Sequence, residues 1–344
     1  MISEGDGEGR LRIGLIGHGR IGRVHAANIA AHPRAVLAAV HDAMPASAAE
    51  AAIAYGCRVH ATPGELITDD AVDAVVIASP TPTHIDYLQS SVLAGKATLC
   101  EKPIDLDIGK VEACQQVIAG HDVPLMIGFH RRFDPSLRAI HAAARDGEIG
   151  NVETLRIVAR DPALPPVEYI AVSGGQPRDM SIHDLDLARW LLPDEPVAIA
   201  AMGSVLAAPD YAEHGDTDTL HILIRTAAGR IAHIDNVRRT TYGYDQRLEL
   251  FGELGVLEMT NRRPTSVERW DAAGTQRRGH LVDGFIQRYA DAYVAELDHF
   301  VSGVLDGAPL EVGFEDGRRA LIMADAVLES RRSDRFVALD FDRV

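Results

Sequence analysis

Three shortages mark this 344-residue chain: cysteine, positive charge and long apolar runs. It has three cysteines, Cys57, Cys100 and Cys114. Their spacing fits no metal motif and their odd number fits no disulfide framework, so they read as reduced thiols of a cytoplasmic protein, with no metal site expected. Lys and Arg together number 34 against 50 Asp and Glu, a net charge of −16. Nucleic acids and anionic membranes call for a basic surface, so neither is expected as a partner. No apolar run approaches the ~18 residues of a membrane span. Residues 1–10, rich in Gly and Glu, lack the basic and apolar regions of a signal peptide and a twin arginine, and read as a short flexible tail.

The remainder is ordinary globular composition, 47% apolar and 24% charged, long enough for two domains with sizeable cores. Strand-like stretches at 12–16, 36–40, 72–78, 97–100 and 125–128 alternate with helix-like stretches at 21–31, 46–55, 84–94 and 108–119. This alternation predicts βαβ units, and so an α/β fold beginning with a doubly wound parallel sheet of the Rossmann type over 11–128. Beyond 128 the pattern changes. A helix at 135–145 precedes strands at 152–158, 220–225, 230–236, 247–251 and 255–259, with Gly229 and Gly255 where hairpin turns belong. Helices at 289–304 and 318–331 end the chain. Strands in succession predict a largely antiparallel sheet in a second domain over 129–344.

Gly17-His18-Gly19-Arg20-Ile21-Gly22 follows the first strand and opens the first helix. In that context the glycines have separate tasks: a tight turn, close approach of backbone to a pyrophosphate, and close packing of helix on sheet. The phosphates would meet free N–H groups at the helix N-terminus. Asp42 ends the second strand, where a carboxylate accepts from the ribose hydroxyls of NAD and repels the extra phosphate of NADP. NAD is therefore the expected cofactor.

Glu101-Lys102-Pro103 follows the strand at 97–100, on the edge of a parallel sheet where ligands bind. Pro103 fixes the chain just beyond the lysine, as a cis bond would. Further on, Asp179-Met180-Ser181-Ile182-His183 reads as the first turn of a helix running to Leu192. Asp179 and His183 then share a face, with Asp186 on the same side, and the carboxylates would orient an imidazole serving as general base. A capping Asp beside an ion-paired His is the competing interpretation.

The glycine loop, Glu101-Lys102-Pro103 and Asp179-x-x-x-His183, in this order, resemble the Gfo/Idh/MocA family of glucose–fructose oxidoreductase and inositol dehydrogenase over about 11–338. Gly128-Phe129-His130-Arg131-Arg132-Phe133-Asp134, Arg160-Asp161-Pro162, Tyr169-Ile170, Ser173-Gly174-Gly175, Arg178 to Asp184 and Tyr242-Gly243-Tyr244-Asp245 are similar to segments of its bacterial inositol dehydrogenases. The resemblance implies a C-terminal α/β domain with an open, mostly antiparallel sheet, and a homotetramer. It implies oxidation of a cyclic polyol to a ketone, myo-inositol to 2-keto-myo-inositol above all. The related substrates are scyllo- or chiro-inositol or an aldose, and a catalytically silent NAD-binding regulator is the alternative outside enzymes. By position, Lys102 would bond the reacting hydroxyl, His183 would take its proton, and Asp179 would hold His183 or a neighbouring hydroxyl. Arg131, Asp161 and Tyr244 would meet other hydroxyls. Ser79, Pro80, Thr81, His84 and Glu101 would join the glycine loop in lining the cofactor. For Arg131 a salt bridge, and for Tyr242 and Tyr244 simple packing, remain competing interpretations.

Overall fold

The computed structural model describes residues 9–342. The tail expected at 1–10 lies, apart from Gly9 and Arg10, outside them. Chain contacts divide the protein into two compact units, Met1–His130 with Asp291–Arg318, and Arg131–Ala290 with Arg319–Val344. The second unit is thus interrupted in sequence by a stretch that joins the first.

The first unit is built on six parallel strands: β1 (Leu11–Ile16), β2 (Ala35–His41), β3 (Arg58–Val59), β4 (Ala74–Ile77), β5 (Ala97–Glu101) and β6 (Leu125–Gly128). Their order is β3-β2-β1-β4-β5-β6, so the sheet reverses direction of winding between β1 and β4. Every residue of β4 and β5 is buried, as continuous apolar runs in a sheet covered on both faces should be. Helices α1 (Arg20–Ala31), α2 (Pro45–Tyr55), α3 (Pro63–Ile67), α4 (His84–Leu93) and α5 (Ile108–Ile118) connect the strands. The short α3 was not apparent from periodicity. It starts with a capping box, in which Thr62 accepts from the Glu65 N–H and the Glu65 side chain reaches back.

The second unit carries a seven-stranded sheet of β7 (Val152–Arg160), β8 (Pro196–Ser204), β9 (Thr219–Thr226), β10 (Ile231–Val237), β11 (Asp245–Gly252), β12 (Gly255–Met259) and β15 (Val337–Ala338), in the order β12-β11-β7-β10-β9-β8-β15. Only β7 and β10 pair in parallel; the other neighbours are antiparallel. β13 (Glu268–Asp271) and β14 (Gly274–Arg278) form a separate hairpin. Strand alternation sorts the large sheet into two faces. Leu155, Ile157, Ile222, Ile224, Ile234, Leu248 and Leu250 face a core that includes residues of α6 (Pro135–Arg145), α8 (Ile182–Leu191) and α11 (Phe314–Ser333). Met202, Leu223, Ile231, Phe251 and Val256 lie on the opposite, solvent-exposed face. α7 (Val167–Ser173) and α9 (Phe285–Arg288) also belong to this unit, whereas α10 (Ala290–Asp306) from Asp291 onward belongs to the first.

One local expectation changes. Pro177–Ser181 is a π-helical turn, and α8 begins only at Ile182. Such turns hydrogen-bond i to i+5, so Asp179 stands in a wider loop of helix than the i,i+4 face supposed. The apolar stripe itself is present: Ile182, Leu185, Ala188 and Leu192 are all buried.

Candidate active site

In the first unit the candidate cofactor residues gather at the carboxyl ends of β1, β2, β4 and β5, around the point where the sheet reverses, which is where ligands bind in open α/β sheets. Gly17 has φ +94°, and a Cβ there would come 2.6 Å from the Ala78 carbonyl oxygen. At Gly22 a Cβ would stand 2.0 Å from the Gly17 oxygen, so α1 packs this closely against the loop because Gly22 lacks a side chain. Gly19 faces open space, and the first turn of α1 has no acidic residue and no side-chain cap. A helix N-terminus with no acidic residue in its first turn and an uncluttered approach suits a pyrophosphate. Asp42 accepts from the His18 N–H at 2.6 Å and the Met44 N–H at 2.7 Å, which fixes its carboxylate beside the loop. These residues fit NAD.

Ser79 follows β4 and shares a 2.7 Å hydrogen bond with Thr83. His84 is buried, with Nδ1 2.8 Å from the Pro103 oxygen and Nε2 2.8 Å from the Ser79 oxygen. Burial pushes its pKa down, against the pull of those two carbonyls. It braces the loops after β4 and β5 against each other. Glu101 turns inward to His25 Nε2 at 2.8 Å, and the next residue, Lys102, is partly exposed. The Lys102–Pro103 peptide is cis. Near Glu101, the Glu296 carboxyl is fully buried, and desolvation together with the Glu101 charge pushes its pKa well up.

In the second unit the structure brings Arg131, Asp161, Asp179 and Tyr244 into one electrostatic neighbourhood. Arg131 donates to Asp184 at 2.6 Å and to the Tyr244 hydroxyl at 3.4 Å, all buried. Arg131 does therefore form a salt bridge, to Asp184. Asp184 also accepts from Asn236 at 2.9 Å; burial pushes its pKa up while Arg131 and Asn236 hold it down. Tyr244 is raised well above the usual phenol range, first by desolvation. Asp161 keeps some exposure, yet loss of water followed by the Asp179 charge pushes its pKa up to about 6, with Arg238 and Arg131 opposing. His183 is buried at the start of α8, one turn beyond Asp179. Asp186, expected beside the imidazole, receives a bidentate bond from Arg132, with Nε at 2.8 Å.

Sequence reasoning missed the groups that hold Asp179. Tyr169 donates its hydroxyl to one carboxylate oxygen at 2.6 Å, and Arg238 donates to the other at 3.0 Å. Tyr169 stood in the sequence only as part of a familiar string. Arg238, in a run of polar residues after β10, carried no signal in spacing or periodicity. No group of three or more His, Cys, Asp or Glu suited to a metal occurs among the described residues.

A parallel sheet with a glycine cradle at its switch point, joined to a unit with clustered carboxylates and a histidine, defines a dinucleotide-dependent oxidoreductase. The chain belongs to the Gfo/Idh/MocA oxidoreductase family: residues 11–129 match its NAD-binding Rossmann domain and 137–258 its C-terminal domain. It is 45% identical over 329 residues to inositol 2-dehydrogenase of Rhizobium meliloti, covering 96% of this chain and 99% of that one. A solved structure of a myo-inositol dehydrogenase from Corynebacterium glutamicum superposes with TM-score 0.93 at 46% identity, over 96% of this chain and 99% of that one. Scyllo-inositol dehydrogenase from Lactobacillus casei, solved with NAD(H) and scyllo-inositol, gives TM-score 0.89 at 31% identity, over 96% and 99%.

Proposed function

We propose that this enzyme oxidises myo-inositol with NAD, converting one ring CH–OH to the ketone 2-keto-myo-inositol (scyllo-inosose). The observation that carries the reading is the polar set Asp161, Asp179, His183 and Tyr244 in the second unit, on a chain 45% identical to an inositol 2-dehydrogenase. A cyclic polyol needs several hydroxyl partners, and each buried partner discriminates, because a missing hydroxyl leaves it unsatisfied. The similarity to scyllo-inositol dehydrogenase is lower, at 31%.

When bound, NAD supplies the hydride acceptor, which no side chain provides. The residues Gly17, Gly19, Arg20, Ile21, Gly22, Asp42, Ser79, Pro80, Thr81, His84, Glu101 and Lys102 form its site in this proposal. Lys102 bonds the reacting hydroxyl and stabilises the developing alkoxide, and His183 takes the proton. Asp179 holds His183 or a neighbouring hydroxyl, and Arg131, Asp161 and Tyr244 complete the sugar-facing set.

A cytoplasmic homotetramer belongs to the same proposal. Three free buried thiols suit a reducing compartment, and an exposed sheet face bearing Met202, Leu223, Ile231 and Phe251 suits packing between copies. No helix among the described residues is long and apolar enough to cross a membrane.

The test is NADH formation from a panel of myo-, scyllo- and chiro-inositol and glucose, with NADP as control cofactor. The expected result is the highest kcat/KM with myo-inositol and NAD. A higher value with glucose, or no NADH with any member, overturns it.

A further inference from the structure

The Arg238 side chain has no solvent exposure at all. Its backbone N–H donates to the Asp218 oxygen at 2.8 Å, which fixes the chain just after β10. Its guanidinium forks between two carboxylates: Nη1 to Asp179 at 3.0 Å and Nη2 to Asp216 at 3.3 Å. Asp216 in turn accepts from the Gln176 N–H at 2.7 Å, and the Gln176 side chain accepts from Thr217 at 2.8 Å. The π-helical turn carrying Asp179 is therefore tied to Asp216 at its entrance and to Arg238 at its carboxylate. The Tyr169 hydroxyl, from α7, holds the remaining Asp179 oxygen at 2.6 Å.

A fully buried arginine is expensive in desolvation, and it is retained only where its charge and its fork are both used. Here one guanidinium faces two carboxylates directly and acts on a third, Asp161, at longer range. The charged groups that act on Asp161 are Asp179, Arg238, Arg131 and Asp184. Tyr211 and Tyr169 add hydroxyls near Arg238 and Asp179 respectively. Without the guanidinium, the carboxylates would repel one another in a site partly removed from water, and one would take up a proton.

We propose that Arg238 is a positioning residue for the reaction: together with Tyr169 it holds the Asp179 carboxylate in one fixed orientation, with its guanidinium shared with Asp216. The proposal rests on the assignment of Asp179 to the substrate site.

Two substitutions separate geometry from charge. Arg238→Lys keeps the charge but cannot span both carboxylates. It is expected to lower kcat with myo-inositol by about tenfold or more, as small misplacements in a site do, with NAD affinity by calorimetry unchanged and the acidic limb of kcat/KM where it was. Arg238→Gln removes the charge, and is expected to move that acidic limb upward by about one pH unit, as loss of a nearby opposite charge does. Wild-type kcat, KM and pH profile in both variants, with only a lower Tm, would make Arg238 purely structural and overturn the proposal.

Tyr169→Phe is the companion variant, because Tyr169 is exposed and its change spares the buried cluster. It loosens Asp179 from the other side and should lower kcat severalfold without moving Tm; unchanged kcat counts against the clamp. If the wild-type enzyme oxidises no polyol, the proposed substrate fails, but the clamp is still read by carboxyl ¹³C NMR titration. An upward shift of Asp161 or Asp179 in Arg238→Gln supports it, and titration curves identical to wild type overturn it.

Discussion

The glycine loop of the first unit and the charged cluster of the second, the two proposed ligand sites, are built from different materials. In the loop the groups proposed to meet the ligand are main-chain N–H groups, and the side chains matter mostly by being absent: a Cβ on Gly22 would lie 2.0 Å from the Gly17 oxygen. In the cluster the work falls to side chains, and these are held by other side chains. Asp184 is held by Arg131 and Asn236, Asp186 by Arg132, and Asp179 by Arg238 and Tyr169. A site made of backbone tolerates variation around it so long as the strand, turn and helix persist. A site made of buried ion pairs depends on every partner, because removing one leaves an uncompensated charge.

The contrast can be broken most forcefully at the reacting atoms. Lys102→Ala and His183→Ala should each lower turnover by about 10²–10⁴-fold while NAD binding by calorimetry is retained. Turnover near wild type in either variant removes that residue from the chemistry. Next comes the ion-pair scaffold. Asp184→Ala strands Arg131 in the interior and should cost about 3–5 kcal/mol of stability in urea unfolding. The double variant Arg131→Met, Asp184→Leu should recover much of that loss; a double variant as unstable as the single one would mean that the pair contributes net stability.

On the backbone-built side, Asp42→Ala removes a carboxylate fixed by two main-chain N–H groups. Loss of a charged hydrogen bond of about 1.5–3 kcal/mol corresponds to a roughly ten- to hundredfold drop in NAD affinity, with NADP gaining relative to NAD. An unchanged NAD to NADP ratio would show that the loop alone selects the cofactor.

The smaller effect is one of pH. Asp161 has a folded pKa raised from 3.8 to about 6, so between these values the native state binds more protons than the unfolded state. The contribution of this group to stability is therefore full below about pH 4 and is lost as pH rises through about 6. Asp161→Asn should remove that fall, seen as a flatter Tm against pH over this window. A wild-type slope retained in the variant would assign the titration elsewhere. Smallest of all is the thiol response. Cys57, Cys100 and Cys114 are buried, and burial pushes Cys114 up to about 11, so a thiol reagent should label none of them in the native enzyme and all three after unfolding.

The loop was legible because a backbone site leaves a contiguous signature. Gly17, Gly19 and Gly22 fall at fixed intervals between a strand and a helix, and Asp42 falls at the end of the next strand. The apolar stripe Ile182, Leu185, Ala188 and Leu192 was legible for a similar reason, since periodicity is local. The wider turn at Pro177–Ser181 was not, because the same residues satisfy an α or a π pattern and packing decides between them. The fate of Asp186 was not legible either: it sits at a plausible spacing from His183, but Arg132, 54 positions away, holds its carboxylate.

By itself the sequence determined the alternation of strand and helix and the glycine cradle between the first strand and helix, because each is written in short-range order of size, polarity and glycine. The tertiary structure alone decided which acid meets which base. Arg238 reaches Asp179 across 59 positions and Arg288 reaches Asp134 across 154. Pairing in a medium of low polarity depends on distance in space, and the linear chain carries no record of that distance until it folds.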